Sequence, residues 1–289
     1  MTRSRPQGRG TVTLTILALG LAPLAAAAGL LVSPAAAAPI SRTGSGQGTS
    51  LPEGDSGRGS CTAALTSRPI PLPAGPLLQP AEVPGPAAPP PDGYHQQLST
   101  TPLGWARLDH WCVWLEPVSA AGPAAAAEQR WWQATLRALQ RWQSLLSIER
   151  VEDPAAAQIR VLRRRPPRQP GPDGRLRASH GRSTLQLLDV TRLGLARHEP
   201  SVEVLISPDQ RPLATEATAL HELGHAFGLW GHSEQAADAM AAVPGATPIV
   251  ELSPRDRSTV RWLYGQPTRF GVPQPTLEPP VPGSQAPAP

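Results

Sequence analysis

The placement of proline constrains this chain more than any other feature. Of its 37 prolines, ten lie between Pro69 and Pro91 and eight between Pro267 and Pro289. Proline fixes φ and has no N–H for a helix or sheet ladder, so neither stretch suits long regular elements. Such sequence reads as extended, polyproline-like arm or tail. One uniform 289-residue globule is therefore excluded. What remains is room for a single compact domain between the two stretches, long enough to bury a sizeable core.

The N-terminus reads as a targeting segment. Arg3, Arg5 and Arg9 precede an uncharged apolar run, Thr11–Val32, and Ala-x-Ala sites follow at Ala26–Ala28 and Ala35–Ala38. This is the layout of a secretory signal peptide. Residues 1–38 are assigned to it, with an uncleaved N-terminal anchor as the alternative, because the run is about long enough to span a bilayer. Pro23 and the Ala-rich second half weaken the anchor, and Pro39 disfavours cleavage directly after Ala38. The expected location is outside the cytoplasm: secreted, periplasmic or in the cell envelope.

Charge adds little. The formal net charge of +4 falls to +1 when residues 1–38, with three Arg and no acid, are removed. All 26 basic side chains are Arg, and the chain has no Lys and no Asn, a pattern that reads as codon bias. No nucleic-acid partner is expected, and without Asn there is no N-glycosylation sequon. Cys61 and Cys112 are the only cysteines. In an exported chain such a pair favours a disulfide; two free thiols, one beside Trp111 and Trp114, are the alternative.

Residues 39–102 read as a Pro/Gly/Ser-rich arm or prosegment, 103–267 as the folded domain, and 268–289 as a disordered Pro-rich tail. Within the domain, alternation predicts a strand over 110–117. A helix is predicted over 124–147, where Trp132, Leu136, Leu139, Trp142 and Leu146 recur at helical spacing and are taken as core. Further strands are predicted over 157–163, 183–190 and 202–207, and helices over 215–229 and 254–264. Gly228 stands where a helix would turn left-handedly. Ser253, Pro254 and Asp256 form a capping-box opening. This order of elements predicts an α+β domain.

The chemistry concentrates in one run, His221-Glu222-Leu223-Gly224-His225-Ala226-Phe227-Gly228-Leu229-Trp230-Gly231-His232-Ser233. On a helix, His221 and His225 share a face one turn apart, and two imidazoles so placed can take two corners of a zinc tetrahedron. Glu222, beside the first ligand, can reach a water in the open position without ligating the metal. Zinc lowers the pKa of such a water to about 7, and a carboxylate can accept its proton. If the chain reverses at Gly228, His232 can return as third ligand. Three His and an open position make a catalytic rather than a structural site. His95, His110, His180 and His198 are scattered and are not assigned as ligands.

The run HELGHAFGLWGHS resembles the zinc-binding signature of the metzincin metallopeptidases, most closely their matrixin branch. The usual pattern is HExxHxxGxxH; here its third-ligand position falls on Gly231, and His232 follows one residue later, as in the HExxHxxGxxGHS variant of bacterial matrixin-like proteins. The resemblance implies a zincin-like fold with a mixed twisted sheet, a long N-terminal helix, an active-site helix and a C-terminal helix. It also implies a Met-turn at Met240, for which ordinary core packing is the alternative. The opening and ending of the last helix, and the long helix with Trp142 near its end, resemble the same branch. The His/Asp-rich loop that holds a structural zinc and calcium in matrixins has no counterpart in 164–200, so a single catalytic zinc is expected. Gly57–Cys61 does not match the cysteine-switch motif, so Cys61 is not expected to cap the zinc. Eight Arg between Arg160 and Arg182 form either a basic exosite or, the favoured reading, a solvated loop.

The sequence thus predicts an exported, monomeric zinc endopeptidase acting on protein or peptide. His221, His225 and His232 hold the zinc, and Glu222 serves as general base. The alternatives are a catalytically silent matrixin-like binding module at the cell surface and a zinc hydrolase of a non-protein substrate.

Overall fold

A computed structural model describes residues 61–71, 76–80, 92–119, 121–170, 174–243 and 245–274, all within the unit that spans Gly54–Pro289. The assigned signal segment, most of the first proline-rich stretch and residues 275–289 lie outside the described residues. Among the described residues no helix is long and apolar enough to cross a membrane.

The fold is α+β. Six strands form one mixed sheet: β1 (Thr66–Pro69), β2 (Trp111–Leu115), β3 (Ile148–Val151), β4 (Ile159–Leu162), β5 (Gly181–Arg192) and β6 (Leu195–Ile206). Their order across the sheet is β1-β5-β6-β4-β2-β3. β3, β2, β4 and β6 run parallel, β5 returns antiparallel to β6, and β1 pairs antiparallel with β5. Among the described residues three α-helices accompany the sheet: α1 (Ala125–Gln143), α2 (Pro212–Ala226) and α3 (Pro254–Tyr264).

The hairpin β5–β6 is longer than the two short strands read from the sequence. Its two-residue turn, Leu193-Gly194, has both φ angles positive (+50° and +75°), the geometry whose twist matches that of the flanking strands. Leu193 carries a side chain in this conformation, so the usual Asn-Gly signal is absent. Strand β3 was hidden because residues 144–147 continued the apolar periodicity of α1, whereas the helix stops at Gln143.

Helix α1 buries Trp131, Ala134, Ala138, Leu139 and Trp142. Trp132 and Leu136, expected in the core, are only half-buried, and Arg150 lies 5.7 Å over the Trp132 ring. The small Ala134 and Ala138 suit a close helix contact, and Trp142 Nε1 donates to the Leu220 carbonyl of α2 at 3.0 Å. Helix α2 begins at Pro212, three residues before the expected start, which puts Glu216 in its second turn. Glu216 is buried and pairs with Arg137 of α1 at 2.7 Å.

The domain bounds of 103–267 are too narrow. The supposed arm supplies β1, and a disulfide joins Cys61 to Cys112 of β2. It also supplies Tyr94 and Leu98, which are 2% and 1% exposed. On the other side, Phe270 is buried, and Gly271 and Gln274 donate to the carbonyls of His198 and Ala196. These are isolated apolar side chains in polar, proline-rich surroundings, where no periodicity marks them.

Candidate metal centre

Helix α2 carries His221, Glu222 and His225, and its C-terminal cap sets the path of the chain toward His232. The Gly228 N–H donates to His225 O at 2.9 Å and the Leu229 N–H to Gly224 O at 3.0 Å. These are the two bonds of a Schellman motif. Gly228 adopts φ +103°, a conformation that a side chain makes costly. The reversal brings the Leu229 carbonyl back to His225, whose Nδ1 donates to it at 2.8 Å. His221 Nδ1 donates to the Ala239 carbonyl at 2.9 Å. A carbonyl can only accept, so both rings carry their proton on Nδ1 and present bare Nε2 atoms. Metal-binding imidazoles are commonly oriented by a partner of this kind.

The structure brings His232 to the same place. Ring centroids are 4.8 Å apart for His221–His225 and His225–His232, and 5.2 Å for His221–His232. One ligand atom from each ring lies within 4.8 Å of the others. A tetrahedral zinc with Zn–N of about 2.0–2.1 Å needs nitrogens about 3.4 Å apart, which small side-chain rotations supply. The donor set therefore fits a zinc ion. His232 is exposed while the other two are half-buried, so the cluster opens to solvent on one side.

Gly231 explains the extra residue before His232. A Cβ there would lie 2.0 Å from the Gln97 carbonyl oxygen and 3.0 Å from Leu98 Cα. The 97–99 segment runs against this loop, with the Ser99 N–H donating to Trp230 O at 2.7 Å. The position that would hold the third ligand in the shorter pattern is thus filled by backbone.

Beyond His232 the chain is pinned at several points. Ser233 N–H donates to Met240 O, and Ser233 Oγ donates to Asp238 Oδ2 at 2.5 Å. Asp238 also accepts from Ser253 Oγ at 2.6 Å and Arg255 Nε at 3.0 Å. Asp256 accepts from the N–H groups of Ala239 and Ser253 and from Tyr94 Oη at 2.8 Å. This network fixes the Ala239 carbonyl that orients His221. Met240 is fully buried, and its Sδ would lie 2.2 Å from a Cβ placed on Gly224. It thus packs against the α2 backbone between the two histidines, and the turn at 238–241 closes beneath them. Sequence reasoning missed Ser233, Asp238 and Tyr94 and saw Asp256 only as a cap. An Asp two residues before Met240, with Ser directly after His232, is the one signal that pointed there.

Glu222 is 8% exposed. The Ser183 hydroxyl lies 2.8 Å from both its Oε2 and its carbonyl, and a Cβ on Gly181 would lie 2.5 Å from its Oε1. Burial pushes the carboxyl up to about 7 against the lowering effect of Ser183 and Arg182. Burial, together with the neighbouring imidazoles, pushes His225 down to about 3. It also lowers His221 and His232. All three rings are thereby kept neutral and able to ligate at neutral pH.

Four of the eight Arg in the Arg-rich stretch have partners within the fold. Arg160 pairs with Glu203, Arg163 with Glu116 and Glu128, and Arg165 with Asp209, while Arg182 donates to the Pro167 carbonyl.

The fold and cluster together describe an α+β protein with three neutral histidines converging beside a buried carboxylate. The chain matches no protein-family model and no curated protein sequence.

Proposed function

We propose that the protein is an exported zinc-dependent endopeptidase of the metzincin type, matrixin-like in its zinc-binding run. The observation that carries this reading is the convergence of His221, His225 and His232, each neutral, beside Glu222. A zinc ion on the three imidazoles would supply the Lewis acid that polarises a water and the scissile carbonyl.

The chain's own residues supply the rest. Glu222 accepts the proton of the attacking water and passes it to the leaving nitrogen, a role that suits a carboxyl pushed up to about 7. Ser183 holds that carboxylate in place. Among the described residues, the outer edge of β5 over 181–186 has no strand partner, since β1 covers only Leu188–Thr191. This free edge begins beside Glu222, and an extended peptide can add to it as a strand. The mixed sheet, the long helix α1 and Met240 beneath α2 also fit the resemblance. The disulfide fits an oxidising, extracytoplasmic compartment.

The test compares wild type with Glu222→Ala on a broad unstructured protein substrate. Removing the base lowers kcat by about 100-fold or more while bound zinc stays. Equal cleavage by the two would end the peptidase reading.

A further inference from the structure

Outside the three-histidine cluster, one other group of metal-binding side chains converges among the described residues. Cys61, His110 and Cys112 place their ligand atoms within 4.8 Å of one another. The two sulfurs are joined as a disulfide, with Cα atoms 5.7 Å apart. His110 Nε2 lies 3.5 Å from Cys61 Sγ and 3.5 Å from Glu149 Oε2. Its Nδ1 lies 2.8 Å from Ser147 Oγ, so a proton held on Nδ1 leaves Nε2 bare and facing sulfur and carboxylate. Glu149 is no chance neighbour: Cys112 and Glu149 are register partners across the β2–β3 ladder.

We propose that on reduction of the disulfide Cys61, Cys112, His110 and Glu149 bind a zinc ion, so that a metal replaces the covalent link between the segment leading into β1 and strand β2. Two thiolates, one imidazole and one carboxylate complete a tetrahedral donor set for this metal. A dithiol reductant supplies two electrons and two protons. The S–S bond breaks, two thiols form, and the reductant closes to its own cyclic disulfide. Zinc then displaces both thiol protons to solvent. Zn–S bonds of about 2.3 Å set the sulfurs about 3.7 Å apart. Side-chain rotation reaches that separation from Cα atoms 5.7 Å apart without moving the backbone of either segment.

Independent contacts keep the donors near one another when the disulfide opens. Cys112 N–H donates to Gln158 Oε1 at 2.9 Å, and Gln158 bonds Glu199, which pairs with Arg192. Arg192 in turn donates to the Thr62 carbonyl, one residue from Cys61. The Leu65 N–H donates to Thr191 O at 2.8 Å. The site is thus assembled from both ends before a metal arrives. It shares no residue with the three-histidine cluster and stands whether or not that cluster binds zinc.

The test uses full-length protein and cobalt(II), whose bonds to thiolate give an intense near-ultraviolet charge-transfer band that imidazole ligation lacks. The oxidised protein shows no such band. After dithiol reduction, removal of the reductant and addition of cobalt, the band appears with one further metal per chain. Zinc quenches it, and metal analysis then reads one more zinc per reduced chain than per oxidised chain. His110→Ala keeps the disulfide, and with it the oxidised fold, yet weakens the metal affinity of the reduced protein about tenfold or more. No additional metal on reduction, additional metal without the thiolate band, or an affinity indifferent to His110→Ala overturns the proposal. Failure of the three-histidine cluster to bind metal leaves all three readouts unchanged.

Discussion

Gly231→Ala tests why the ligand loop is one residue longer. Gly231 has no positive φ, so alanine there meets no backbone strain, and its entire cost is steric. The new Cβ would lie 2.0 Å from the Gln97 carbonyl oxygen and 2.8 Å from its carbon, over 1 Å too close for any carbon–oxygen contact. Backbone cannot rotate away as a side-chain tip can, so one of the two segments must retreat. Its retreat breaks the Ser99–Trp230 hydrogen bond of 2.7 Å, about 1 kcal/mol. Overpacking a tight contact adds about 1–3 kcal/mol. The expected loss is about 2–4 kcal/mol, read from urea unfolding of the metal-free protein. Zinc affinity, measured against a chromophoric chelator, falls about 10–100-fold because His232 is the next residue. Gly245→Ala is the control, since a Cβ there meets only Ala236 O at 3.9 Å. A Gly231→Ala protein with the stability and zinc affinity of wild type would refute the argument that the 97–99 segment forces the longer loop.

The geometry sets two further outcomes. Tyr94→Phe removes a buried hydroxyl from Asp256, and a bond to a charged group contributes about 1.5–3 kcal/mol; an unfolding midpoint equal to wild type would place residues 92–101 outside the cooperative fold. The metal-free protein loses stability on acidification below pH 6.5. There the unfolded chain protonates His221 and His225 while the fold, which lowers both, resists. Glu222, raised to about 7, opposes this between pH 7 and 4.5, since the fold holds a proton that the unfolded chain has released. The decline therefore steepens below about pH 4.5. Urea midpoints across pH read it, and stability rising on acidification would contradict the assignment.

The sequence carried the site better than its supports. His221, Glu222 and His225 were legible because helical spacing alone puts the two histidines on one face, and Gly228 because only a left-handed residue ends the helix there. The carbonyls of Leu229 and Ala239 left no trace, since backbone atoms have no residue identity. Asp238 and Asp256 were unreadable as a pair because their partners, Ser233, Arg255 and Tyr94, are brought together only by the fold. The same limit hid β1: four exposed residues, Thr66–Pro69, form a strand because the edge of β5 offers them a ladder, not because their own pattern requires it. The pairing of His110 with Glu149 belongs to this class too, since it depends on the β2–β3 register.

The central claim is that three histidines form one zinc site. Metal content by mass spectrometry on the purified, oxidised full chain tests it most directly, with Glu222→Ala and His225→Ala beside it. The account predicts one zinc per chain in wild type and in Glu222→Ala, and none in His225→Ala under the same dialysis. A wild-type protein without zinc after zinc loading, or a His225→Ala protein that keeps a full equivalent, would contradict it.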